Sequence, residues 1–187
     1  MKKLIALFLA VALLLCLSAC NKVDTSQYSH ITQAKQECSE QEIRQLIEKN
    51  LDCYFLFYVS ALDYSQEENI DGYYKADTSY FESYEALYNF VNDTYVAEKA
   101  QELLNYPSKE TPLYKEIDGE LYVNPDVIAP VNYEVMWDDS YTLKFKSNST
   151  SACSFEIVTT DFDGNKYVTQ GAAVNQKKHW YLTDFVY

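Results

Sequence analysis

The chain has 187 residues, with 28 Asp and Glu against 15 Lys and Arg and a formal net charge of −13. So acidic a chain excludes a phosphate-binding surface, which needs clustered Lys and Arg, and no nucleic acid partner is expected. The length suits one domain with a real core, and 18 Tyr against 9 Phe and 2 Trp points to Tyr standing in for Phe at half-wet core edges.

Lys2 and Lys3 precede an apolar run over residues 4–17. That run is too short for a membrane span of roughly 20 residues, but it fits the h-region of an export signal. It ends in Leu17-Ser18-Ala19-Cys20, which resembles a bacterial lipobox. The expectation is a lipoprotein signal peptide over 1–19, cleavage before Cys20, and acylation of Cys20, palmitate included. One chain holds a protein only marginally, so stable anchoring takes two or more. Cys16 falls in the removed peptide as a small hydrophobe. The protein is therefore expected to be exported and held by lipid at the outer face of the bacterial cell membrane. Residues 20–37 are polar and aperiodic, His30 included, and read as a flexible tether. Residues 38–187 then form a single domain.

Ser39-Glu40-Gln41-Glu42 is a capping-box pattern. Ile43, Leu46, Ile47, Leu51, Tyr54, Phe55 and Tyr58 follow at helical spacing, predicting a helix over about 40–60. Its last part, residues 54–59, is apolar almost all round and should be buried. Residues 63–71, with Asp63, Glu67, Glu68 and Asp71, read as an acidic loop closed by Gly72. Thr78-Ser79 is read as the start of a second helix through Tyr80, Phe81, Tyr84, Leu87, Tyr88 and Val91. A third helix carries Val96, Ala100, Leu103 and Leu104 and stops at Pro107.

The period then changes to two. Residues 113–117, the pair Asp118-Gly119, and residues 120–123 predict a hairpin with a type I′ turn. Further strands are expected at 133–137, 141–146, 153–160, 166–174 and 179–187, separated by polar turns such as Asp138-Asp139-Ser140 and Asn175-Gln176-Lys177. Helices followed by a strand meander define an α+β protein, with N-terminal helices packed on a curved antiparallel sheet.

Catalytic patterns are missing. With 4 Gly there is no phosphate loop, and neither a nucleophile elbow nor a His-Glu-x-x-His stands anywhere. No enzyme activity, cofactor or metal site is expected. Asp161-Phe162-Asp163-Gly164-Asn165 lacks calcium-loop spacing and reads as a hairpin turn. A Cys153–His179 pair is conceivable on adjacent strands, though nothing in the sequence marks either cysteine as a low-pKa nucleophile. Cys38, Cys53 and Cys153 are read as free thiols. Cys38 and Cys53 bracket the first helix, about 22 Å apart against the roughly 7 Å a disulfide allows. A Cys53–Cys153 pair stays open if that helix packs on the strand carrying Cys153. Asp63, Glu67, Glu68 and Asp71, together with Asp138 and Asp139 beside Trp137, are the candidate partner-docking residues.

Three segments carry a resemblance: Tyr80-Phe81; the hairpin Asp118-Gly119-Glu120-Leu121-Tyr122-Val123; and Val174 followed by His179-Trp180-Tyr181-Leu182. Across about residues 80–187 the chain resembles the IseA family of DL-endopeptidase inhibitors. The closing strand is also similar to that of NTF2-like exported domains. The IseA resemblance implies a secreted or wall-associated, non-enzymatic protein that blocks NlpC/P60 peptidoglycan hydrolases with a loop at their cysteine active site. The partners expected are thus the membrane, through the N-terminal lipid, and a cell-wall hydrolase. The NTF2-like resemblance implies instead a cavity between helix and sheet for a small ligand.

Overall fold

The computed structural model describes residues 37–128, 135–136, 141–161 and 163–186. The signal peptide, Cys20, His30 and nearly all of the tether lie outside them, as do Trp137, Asp138 and Asp139.

Helix α1 (Glu40–Tyr54) begins on the expected capping box. The Glu42 N–H donates to Ser39 Oγ at 3.2 Å, and the Ser39 N–H donates to Glu42 Oε2 at 2.8 Å. Ile43, Leu46, Ile47, Asn50, Cys53 and Tyr54 form its buried face. The chain then widens into a π-helical turn over Phe55–Val59, closed by a Ser60 N–H to Phe55 carbonyl bond of 2.9 Å. This turn rotates one aromatic out of the core. Leu56 and Phe57 are buried, but Phe55 is 47% exposed, so the expectation of an all-round buried segment fails there. Inside, the Tyr114 hydroxyl secures the turn, donating to the Leu56 carbonyl at 2.9 Å and accepting from the Leu62 N–H at 3.1 Å.

The acidic segment is a strand, not a loop. Strand β1 (Tyr64–Ile70) pairs antiparallel with β2 (Tyr73–Ala76), with an irregularity between Tyr64 and Asn69. Asp71 and Gly72, at φ 52° and 85°, make the two-residue turn; both φ values are positive, as type I′ requires. Helix α2 (Tyr84–Thr94) starts later than expected, on a Ser83 cap whose side chain accepts from the Ala86 N–H. Tyr80 and Phe81 precede the helix. Ser79 does not cap it: residues 78–80 form a turn, in which Asp77 Oδ1 accepts from the Ser79 N–H at 2.7 Å. Helix α3 (Ala97–Leu104) ends short of Pro107, as expected.

Strands β3 (Tyr114–Ile117) and β4 (Glu120–Val123) form the predicted hairpin, with positive φ at both Asp118 and Gly119. Strands β5 (Val135–Met136), β6 (Thr142–Asn148), β7 (Ala152–Asp161), β8 (Lys166–Gln176) and β9 (His179–Leu182) follow. They do not join the earlier strands. One antiparallel sheet has order β1-β2-β4-β3; the other runs β5-β7-β8-β9, with β6 also on β7. Since β8 takes one edge of β7, β5 and β6 share the other, pairing with residues 160–161 and 153–158 respectively.

The α+β class stands, with two antiparallel sheets in place of one. Helix α2 touches β3 and β4 of the first sheet and β9 of the second. Just after it, the Val96 N–H donates to the Leu182 carbonyl at 2.9 Å. Ile43, Ile47, Leu87, Leu103, Leu113, Leu121, Phe155, Ile157 and Leu182 fill one continuous core.

Candidate functional site

Strand β1 is an edge. It pairs with β2 alone among the described residues, so its outer row of N–H and C=O groups has no strand partner. Six of its seven residues are exposed and Tyr64 is half-buried. Tyr64 seats one end of the strand on the sheet, its ring centroid 5.0 Å from that of Tyr74. The 2.7 Å bond from the Asp77 N–H to the Asp63 carbonyl fixes the same end. At the other end, the Gly72 N–H donates to Asn69 Oδ1 at 3.3 Å. Asp63, Glu67, Glu68 and Asp71 are all exposed along this hairpin, and none of the four forms an ion pair with another described residue. The structure thus gathers four of the six predicted docking residues onto one edge hairpin. The other two, Asp138 and Asp139, lie outside the described residues. The signal for a strand here was Asp71-Gly72, the same dipeptide that marked the β3–β4 turn.

A second feature is a cleft of about 480 Å³ between α1 and the β8–β9 turn, lined by Glu42, Glu48, Lys49, Lys178, His179 and Trp180 among others. One ring nitrogen of His179, Nε2, is 2.8 Å from the Asp93 carbonyl, and the ring lies edge-on to Tyr181 at 4.4 Å. The conceivable Cys153–His179 pair is not formed. Cys153 is level with Ala173, which is level with Leu182, placing His179 three residues away, roughly 10 Å along the strand.

The three cysteines among the described residues are buried free thiols. Cys53 faces Tyr95, not Cys153, and burial pushes its thiol up to about 12. Cys38 and Cys153 lie near enough to shift each other's proton affinity, a proximity that the spacing did not suggest. Asp161 is the last residue of β7 and closes the expected hairpin turn. Its side chain accepts from Asn165 Nδ2 at 3.0 Å and from the Asn165 and Asp163 N–H groups at 2.7 and 3.0 Å. The bonds to Asn165 lead in holding its carboxyl below the ordinary range. Among the described residues no group of three or more His, Cys, Asp or Glu could hold a metal ion, and no helix is long and apolar enough to cross a membrane.

What this geometry offers is contact. An open strand edge with uncompensated carboxylates suits an extended basic segment. In comparisons with known proteins, no family model and no curated protein matched the chain.

Proposed function

We propose that the chain is a bacterial cell-envelope lipoprotein that acts by binding, not catalysis, and that it restrains a peptidoglycan DL-endopeptidase of the NlpC/P60 type. The observation that carries this reading is the exposed acidic edge of β1. Export and anchoring rest on Leu17-Ser18-Ala19-Cys20, and the choice of hydrolase on the IseA resemblance.

Strand addition supplies main-chain hydrogen bonds, and the carboxylates choose the partner. A second copy of β1 makes a poor partner, because antiparallel pairing would set Glu67 and Glu68 against their own equivalents. A basic segment beside the hydrolase cleft satisfies both requirements, and its encounter is accelerated by the charge of the whole chain.

The test mixes the full chain, in mild detergent, with an NlpC/P60 hydrolase and peptidoglycan. Hydrolysis should fall with dose in the micromolar range. The double charge reversal Glu67→Lys, Glu68→Lys should weaken the effect at least tenfold while leaving circular dichroism unchanged. Unchanged hydrolysis at micromolar protein sinks the inhibitor reading. Binding of a small ligand that perturbs Trp180 fluorescence would favour an NTF2-like ligand module working through the 480 Å³ cleft.

A further inference from the structure

Cys38 stands immediately before the Ser39 cap, where the chain enters the domain. Asn148, the last residue of β6, holds it at both backbone groups. The Cys38 N–H donates to Asn148 Oδ1 at 3.1 Å, and Asn148 Nδ2 donates to the Cys38 carbonyl at 2.7 Å. Across the β6–β7 pair, Asn148 is directly opposite Cys153. Two residues far apart in sequence are thereby brought side by side, near enough for each thiol to shift the other's proton affinity; the Cys38 thiol donates to the Ser39 carbonyl at 3.7 Å. Each residue is 3% exposed. Their backbones are fixed independently, one by the amide of Asn148 and one by the β7 ladder.

We propose that Cys38 and Cys153 are the reduced form of a disulfide that staples the base of the N-terminal segment to the β6–β7 pair. The oxidant is an external disulfide, low-molecular-weight or protein-borne, of the kind that exported proteins meet.

Cys153 is the entering group. The neighbouring Cys38 thiol holds that of Cys153 below the ordinary range; burial opposes this, and the Ala173 N–H assists it. The same proximity keeps the proton on Cys38, whose thiol is pushed up. The Cys153 thiolate attacks one sulfur of the external disulfide, that S–S bond breaks, and one thiolate leaves. Cys38 then releases its proton, and its thiolate attacks the Cys153 sulfur of the mixed disulfide, expelling the second thiolate. The protein loses two electrons and two protons, and the external disulfide becomes two thiols. Cys53 takes no part, because its thiol faces Tyr95 and neither of the other thiols.

This proposal does not depend on what β1 binds, so either can fail alone. The test incubates the full chain in mild detergent with oxidised glutathione at pH 8, alkylates, digests without reduction and maps the peptides by mass. The Cys38 and Cys153 peptides should be joined. The melting temperature should rise by about 10 °C over the dithiothreitol-treated protein, as for a staple closing a loop of more than 100 residues. Cys53→Ser should keep both results. Cys38→Ser and Cys153→Ser should lose both, each variant melting under reductant close to the reduced parent. Recovery of Cys38 and Cys153 fully alkylated, or a cross-link through Cys53, overturns the proposal.

Discussion

Two residues show how tightly single positions are specified. Gly171 on β8 lies opposite Phe155 on β7, and the Phe155 ring lies over its Cα, where a Cβ would overlap ring carbons. Val186 crowds the same spot, with Cγ2 3.2 Å from such a Cβ. Gly171→Ala should therefore destabilise the protein by about 1–3 kcal/mol through overpacking, lowering the thermal midpoint by several degrees. Adding Phe155→Leu, which removes the ring, should make the alanine tolerable; a double variant no better than the sum of the singles would refute the steric account. Asn50 is the other case, fully buried on the apolar face of α1. It holds the C-terminal segment, donating to the Val186 carbonyl at 2.6 Å and accepting from the Val186 N–H and the Tyr95 hydroxyl, each at 2.9 Å. Asn50→Ala should cost about 3 kcal/mol, because three buried groups lose their partner, whereas Tyr95→Phe should cost about 1 kcal/mol. Urea denaturation of both variants tests that ordering. A polar residue amid Leu46, Ile47, Cys53 and Tyr54 is visible as an exception to the helical pattern, but what it ties down is not a local property.

At the scale of elements, legibility followed local signals. Helix α1 and the β3–β4 hairpin were plain because a capping box and an Asp-Gly turn are short-range devices. Strand β1 was missed because Glu, Gln and Asn are weak strand formers; an edge strand tolerates them, having few neighbours to pack against. The onset of α2 was misplaced because Thr78-Ser79 and Ser83 are equally good caps on paper; residues 78–80 form a turn instead, and the Ser83 side chain accepts from the Ala86 N–H. The π-helical turn was not legible, since the Tyr114 hydroxyl that secures it comes from a strand far along the chain. Between elements, Lys99 on α3 joins the C-terminal segment to its own helix: Nζ is 3.0 Å from Asp184 Oδ1 and 3.0 Å from Glu102 Oε1. Burial pushes the Asp184 carboxyl up, but the Lys99 contact and the Phe185 N–H outweigh it and hold the carboxyl below its ordinary value. A folded-state value below the unfolded one means that the unfolded chain binds the proton more readily. The contribution is therefore present above about pH 4, the ordinary Asp value, and is lost as pH falls through the lower folded value. Asp184→Asn should be less stable than the parent at pH 6, and the gap should narrow as pH falls below about 4. A gap constant across that range would rule out the ion pair as its source.

At the scale of the whole molecule, the α+β class was legible and the division into two sheets was not. Periodicity finds strands but not their neighbours, and the β2–β4 pairing spans both α2 and α3. That non-local choice is what leaves β1 at an edge, so the candidate docking surface follows from topology as much as from its acidic residues. Reach matters as well. A candidate docking edge on a chain with net charge −13 is repelled by an anionic membrane, so anchoring there needs a hydrophobic contribution that charge cannot give. Lipid on Cys20 would supply it, at about 0.8 kcal/mol per buried CH₂, and the polar residues after it would hold the acidic surface away from the bilayer. Cells fed radiolabelled palmitate should label the full chain and return it in the detergent phase of a Triton X-114 separation. Cys20→Ser should lose the label and move at least tenfold toward the aqueous phase, or remain as an unprocessed precursor retaining residues 1–19. Label persisting on Cys20→Ser would place the lipid elsewhere and remove the lipobox from the account, and an unlabelled parent would remove the lipid altogether.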